Sequence, residues 1–230
     1  VNADDLAGHR GLTAIPNCST TPLVMTLYPL HQINPVKRII VDTYQSVSGT
    51  GGAAMAELRE QSRAQLQGDE VPAPQVYPHR IAFNVLPHIE PFLDNGYTKE
   101  EWKMVEETRK IMHASDLAIS ATCVRVPVYI SHSEAVHVEF QRPMSPQEAR
   151  ELLTASPGVS VVDDPVANRY PLPIEAEGKD DVFVGRIRQD ASNPNGLAMW
   201  VVSDNLRKGA ALNAIQIAEE VLRRNLLLTR

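Results

Sequence analysis

Residues 117–140 read LAISATCVRVPVYISHSEAVHVEF, and this stretch decides the fold class. Leu117 to Tyr129 and Ala135 to Phe140 are β-branched, apolar-rich runs of the kind that make strands, joined by Ile130-Ser-His-Ser-Glu134 as a turn. Strands this close in sequence leave room for antiparallel connections. Outward from them, Lys37–Gln45, Val159–Val162, Val182–Arg188 and Leu197–Ser203 read as further strands, with Ile81–Leu86 as a short extended run. Between them lie helical patterns. One starts at Ser19-Thr20-Thr21-Pro22, a cap followed by a first-turn proline, and continues to about Leu30. Ala53–Gln67 is rich in helix formers. Thr98 with Glu101 has the spacing of a capping box and opens a helix to about residue 112. Ser145–Thr154 begins with Pro146, and Leu206–Leu226 carries an apolar stripe at 206, 210, 214, 217, 218, 221 and 222. Residues 1–16 and 68–80 read as irregular. Helices and strands intermix, so the expected fold is α+β: a mixed, largely antiparallel sheet with helices on one face.

Composition excludes more than it selects. The 230 residues hold 22 Lys+Arg, 28 Asp+Glu and 7 His, a formal net charge of −6, with 43% hydrophobic and 22% charged residues. That acidic balance argues against nucleic acid or an anionic membrane as the main partner. No apolar run approaches the roughly 18 residues a membrane helix needs, and VNADDLAGHRG has no signal-peptide character. Cys18 and Cys123 make neither a disulfide scaffold nor a four-thiolate zinc site, and the His and Cys spacing suggests no metal centre. Reduced thiols and a cytoplasmic location are the simplest expectation.

A few side chains could carry chemistry. Cys18 precedes a helix start, where free N–H groups favour a thiolate nucleophile, though an unpaired cysteine also serves as a small buried hydrophobe. Cys123, inside an apolar strand, reads as core. His132, between two serines, is placed to titrate near neutrality as an acid–base, or simply to face solvent. Arg125 inside an apolar strand needs an anion, either a ligand carboxylate or a structural salt bridge. Its spacing of seven from His132 would put the two on opposite faces of a straight strand, so Pro127 and the Ser131/Ser133 turn must break the regularity if both serve one pocket. Glu100 and Lys103 share a helix face, which is the usual arrangement of a solvated pair. Ser48-Gly-Thr-Gly-Gly52 could cradle a phosphate or form a flexible turn. There is no GxGxxG after a strand and no Walker loop.

These residues fall together in one pattern. PNCST (16–20), TYQSVSGTGG (43–52), KEEWKMVEETRKIM (99–112), SATCVRVPVYISHSE (120–134) and GLAMWVVSDNLRKGAALNAIQIAE (196–219) resemble bacterial aspartate-β-semialdehyde dehydrogenase, in the family's order and across nearly the whole chain. The resemblance implies a glyceraldehyde-3-phosphate-dehydrogenase-like C-terminal domain over 1–230, serving catalysis and dimerisation, with helix 206–226 packing toward a Rossmann domain that this sequence lacks. It implies Cys18 as nucleophile and His132 as the acid–base that takes the thiol proton and returns it. Gln45 would orient the substrate, Glu100 would hold its amino group and Arg125 would bind its carboxylate. Asn17 and Lys103 would contact phosphate, and Ser48, Gly49 and Asn205 would touch NADP. The implied reaction interconverts aspartate semialdehyde plus phosphate with aspartyl phosphate through a cysteine thioester, in lysine, threonine and methionine biosynthesis. A homodimer is implied as well, and the 230 residues alone are expected to be nearly inactive. Two alternatives stay open: an N-acetyl-γ-glutamyl-phosphate reductase-like enzyme, and a non-catalytic dimerisation module.

Overall fold

Six strands form one sheet, in the order β2-β1-β3-β6-β5-β4, in the computed structural model, which describes residues 1–227. They are β1 (Val36–Gln45), β2 (Ala118–Arg125), β3 (His132–Phe140), β4 (Val159–Val161), β5 (Val182–Gln189) and β6 (Gly196–Ser203). The central pairs β1–β3, β3–β6 and β6–β5 are antiparallel, and the outer pairs β1–β2 and β5–β4 are parallel. The fold is therefore the mixed α+β sheet that the sequence pattern implies.

Period-2 alternation decides which side is covered. On β1, Ile39, Val41, Thr43 and Gln45 are buried, while Arg38 and Tyr44 are exposed and Ile40 and Asp42 only half-buried. The buried face lies under α1 (Thr20–Ile33), α3 (Lys99–Ile111) and α4 (Pro146–Thr154). Leu23, Leu27 and Leu30 of α1 pack there with Val41, Val136, Met199 and Met104 in one apolar cluster. The other helices lie elsewhere. α2 (Gly52–Gln67) shares a smaller cluster with Ile81, Ala82 and Leu86, and α5 (Pro173–Ala176) is a single turn. α6 (Leu212–Arg223) buries no residue completely. It touches the 3-10 turn Ala3–Gly8, and Arg224 pairs with Asp4 at 2.7 Å.

Several local expectations change. β2 stops at Arg125 instead of Tyr129, because Pro127 cannot donate to a ladder. The chain instead runs beside the end of β1: Val126 N–H donates to Gln45 O, and Val47 N–H to Val128 O. His132, Ser133 and Glu134 consequently belong to β3 and not to a turn. Ile81–Leu86 is not extended; only Leu86 bridges, to Arg125, while the Ile81 and Ala82 amides donate to the buried Gln61 side chain. The start of the chain holds the 3-10 turn, and the terminal helix opens with a π-helical turn, Arg207–Ala211. Ser19 precedes α1, but its hydroxyl caps nothing; Asn17 does that work, its Oδ1 accepting from Ser19 N–H and its carbonyl from Thr21 N–H.

The capping box at Thr98 is present in full, with Glu101 N–H donating to the Thr98 hydroxyl and Thr98 N–H to the Glu101 carboxylate. Glu101 also accepts from Cys123 N–H at 2.9 Å, which ties α3 to β2. Thr98→Ala is expected to cost about 1 kcal/mol of stability, readable as a lower urea midpoint at unchanged m-value.

Candidate active site

One end of the helix-covered face is polar. Gln45 on β1 pairs with Arg125 on β2, and His132 on β3 pairs with Ser203 on β6. Gln45, Arg125, His132 and Ser203 are all at most 5% exposed. The spacing of seven between Arg125 and His132 is therefore no obstacle, because the break after Arg125 returns His132 to the same face on another strand.

The turn after β1, Val47–Thr50, threads between these groups. Ser46 N–H donates to His132 Nδ1 at 3.1 Å, and Arg125 Nη1 donates to Ser46 O at 2.7 Å. A methyl group on Gly49 would stand 3.0 Å from Arg125 Nη1 and 3.3 Å from His132 Nε2. Glycine is what lets the backbone approach both the guanidinium and the imidazole. Ser48 and Asn205 lie against the same turn, with Asn205 Nδ2 donating to Ser48 Oγ at 3.0 Å and Asn205 Oδ1 accepting from Ser131 N–H at 2.9 Å. Ser48-Gly-Thr-Gly-Gly52 is thus a built turn that opens α2, not a flexible loop.

From the helix side, Glu100 gathers three groups. Its Oε1 accepts from Asn17 Nδ2 at 2.9 Å and Gln45 Nε2 at 3.2 Å, and its Oε2 lies 3.6 Å from Lys103 Nζ. Asn17 carries the network to Cys18, the next residue. Cys18 also touches the π-helical turn, where a methyl group on Gly209 would begin 2.9 Å from its Cβ. All ten residues singled out from the sequence thus lie in one connected region. Lys103 and Asn17 are not free for phosphate as they stand: Lys103 also pairs with Glu90 at 2.6 Å, and Asn17 uses both ends of its amide.

Two electrostatic expectations are corrected. Burial first, and the Glu100 carboxylate second, push the Cys18 thiol up to about 12 despite Arg125, so it rests as S–H and not as a thiolate. Burial, and then the Arg125 charge, push His132 down to about 3. The ring is neutral and enclosed, not free to titrate near pH 7. A backbone N–H can only donate, so Nδ1 accepts and the ring proton sits on Nε2. That nitrogen is buried without a partner. Arg125 Nε is also unpartnered, and among the described residues no carboxylate pairs with this buried guanidinium. The structural salt bridge left open by the sequence is absent among those residues. An unpaired buried cation is costly unless an anion joins it.

Sequence reasoning passed over Ser46, Ser131, Gly209 and Glu134. Ser46 was legible only as the residue ending a strand beside Gln45. Gly209 stood inside a helical pattern with no sign of its contact to Cys18.

Comparisons with known proteins show the family and the fold. The family model described as semialdehyde dehydrogenase, dimerisation domain, matches residues 27–208. The aspartate-semialdehyde dehydrogenase of Aquifex aeolicus is 52% identical over 229 residues, covering 99% of this chain and 67% of that protein. The chain belongs to the aspartate-semialdehyde dehydrogenase family. It spans about two thirds of the length of such relatives. Aspartate semialdehyde dehydrogenase II of Vibrio cholerae, solved in complex with ASA, superposes with a TM-score of 0.93 at 43% identity, over 97% of this chain and 66% of that one. The Candida albicans enzyme, solved with NADP, gives 0.69 at 27% identity, over 93% of this chain and 58% of that one.

The buried neutral histidine has a consequence for acid stability. Its folded pKa lies below the unfolded value, so the unfolded state binds a proton that the folded state does not, and stability falls as pH drops from about 6.5 toward 3. Relative to His132→Asn, the wild type is expected to lose on the order of 2 kcal/mol more between about pH 7 and about pH 5. Thermal melts of both proteins across that interval measure the difference.

Proposed function

We propose that this chain is the catalytic and dimerisation portion of an NADP-dependent aspartate-semialdehyde dehydrogenase of the cytoplasm, acting in lysine, threonine and methionine biosynthesis. The observation that carries this reading is Arg125: a buried guanidinium with no carboxylate partner, beside an unpaired His132 Nε2–H. A planar fork of donors suits a substrate carboxylate. Glu100, buried among amide donors, suits an ammonium group, which favours a free amino acid over an N-acetylated one.

Substrate binding would change the state of Cys18. An ammonium paired with Glu100 cancels the charge that, after burial, most opposes ionisation of the thiol. The thiol proton leaves to solvent, and Sγ adds to the aldehyde carbon. His132 does not take that proton, because its Nε2 already carries one. It donates instead to the oxygen of the adduct, as an oxyanion-hole group does. Gln45 orients the same end of the substrate. NADP, when bound, accepts the hydride in this direction and supplies it in the other. Cys18 is left as an acyl-thioester; phosphate oxygen attacks its carbonyl carbon, and the C–S bond breaks with the electron pair returning to sulfur. A thiolate leaves readily, which is why sulfur is used. Lys103, about one third exposed, would meet the phosphate by parting from Glu90, with Asn17 beside it.

One orphaned hydroxyl suits the amide at the nicotinamide end of the cofactor: Ser131 Oγ is buried without a partner next to Asn205, while Ser48 and Asn205 are bonded to each other and would have to open to reach the cofactor. Ser48, Gly49 and Asn205 would hold that end, with the remainder of the cofactor held by the part of the relatives that this chain does not span. The 230 residues alone are therefore expected to show little turnover. Fused to the missing third of a relative, the chain should reduce NADP on addition of aspartate semialdehyde and phosphate. Cys18→Ser should lower that rate by roughly a thousandfold or more; a Cys18→Ser fusion that keeps wild-type turnover overturns the reading.

The uncovered face of the sheet suits a second copy. Tyr44 is 39% exposed there and packs on Trp200 at 5.4 Å between ring centroids, an aromatic surface on the sheet face opposite α1, α3 and α4. Exposed aromatic patches of this kind mark protein interfaces. Tyr44→Glu is expected to shift the chain from dimer toward monomer in sedimentation velocity, with little change in its circular dichroism.

A further inference from the structure

Glu134 is a buried carboxyl at this end of the sheet that the chemistry above leaves unused. It is 0% exposed, and neither carboxyl oxygen has a hydrogen-bond partner. It follows His132 by two residues on β3, so it shares the helix-covered face. Its ladder neighbours are Thr43 on β1 and Val201 on β6, and Cys123 lies one strand further on. None of the three can neutralise a carboxylate. Its charge, were it formed, would reach both sulfurs, raising the thiols of Cys18 and Cys123.

We propose that Glu134 is a positioning residue of the cysteine site: its carboxyl stays uncharged beneath the catalytic groups, leaving the Arg125 charge to favour negative charge on Cys18 and its adduct. The proposal rests on the reading of Cys18 as nucleophile. Desolvation is the cause, because two unpartnered oxygens in a buried hollow cannot support a full charge. It moves this carboxyl well above the ordinary range. The charged or titratable groups nearest it on the surrounding elements are Arg125 and Cys123 on β2, His132 on β3, Glu100 and Glu101 on α3 with Lys103 beyond Glu100, and Cys18 ahead of α1. The residues of β1 and β6 nearest to it on that face are Thr43, Gln45, Val201 and Ser203, and none of them is charged. Arg125 is turned to Ser46, and Glu101 is taken up by Thr98 and Cys123 amides, so neither is paired with Glu134. An ionised Glu134 would place a second anion against the thiol, beside Glu100, and work against the reaction.

The test combines infrared spectroscopy with alkylation of Cys18 by iodoacetamide, followed by peptide mass spectrometry on the whole chain. At about pH 7 the wild type should show the C=O stretch of a protonated carboxylic acid, and Glu134→Gln should lack it. As the pH is raised above neutrality that wild-type band should disappear. Where it does, wild-type Cys18 should fall behind Cys18 of Glu134→Gln in alkylation rate, by roughly threefold or more. Absence of the band in the wild type at neutral pH overturns the proposal, whether or not the variant folds. So does loss of the band with no divergence in Cys18 reactivity, since a merely structural carboxyl would behave that way. A wild type in which Cys18 is not alkylated in preference to Cys123 overturns the nucleophile reading instead, and is visible before the variant is made.

Discussion

The backbone N–H of Ser46 donates to Nδ1 of His132, and most of the site's chemistry is set by that 3.1 Å contact. It selects the tautomer, aims Nε2–H away from the backbone, and makes the histidine a donor. The same peptide unit offers its carbonyl to Arg125. One turn after one strand therefore orients the imidazole and the guanidinium together. The turn can approach so closely because Gly49 has no side chain to collide with either. Preorganised donors of this kind stabilise charge that develops during a reaction without having to move.

The sheet supplies the rest of the constraint. Strand order β2-β1-β3-β6 brings Arg125, Gln45, His132 and Ser203, from four separate strands, onto one buried edge of one face. β1 is the strand on which this depends, since it pairs parallel with β2 and antiparallel with β3. A one-residue slip of β1 would turn Gln45 outward and bring Tyr44 in. The apolar alternation of Ile39, Val41 and the packed Leu23, Leu27 and Leu30 makes that slip expensive, so core packing and site geometry are secured by the same residues.

The sheet class, all six strands, the capping box at Thr98 and the Pro146 helix start were legible because each rests on a local pattern. The end of β2 was not. The run through Val126, Val128 and Tyr129 is as β-prone as what precedes it, and only the missing N–H of Pro127 and the pairing of Val47 with Val128 show where the ladder stops. That boundary moved His132 from a supposed turn to the first residue of β3, and with it the histidine's protonation. Residue types and spacing nominated Cys18, His132, Arg125 and Glu100, yet burial decides the charge states of Cys18 and His132. Burial of a short polar segment such as SHSE depends on helices distant in sequence, so no local pattern could report it.

Those charge states also explain why the site is assembled from so many neutral donors. Cys18 rests protonated, and His132 rests neutral, and the pocket holds Arg125 in place with a carbonyl, not a carboxylate. A carboxylate partner would pair that buried charge and close it to any other anion. On the proposed function, a ligand with an anion for Arg125 and a cation for Glu100 would meet the unpaired cation and cancel the charge that opposes ionisation of Cys18. Substrate recognition and nucleophile activation would then be one electrostatic event, so affinity and reactivity should rise or fall together when either charged partner is altered.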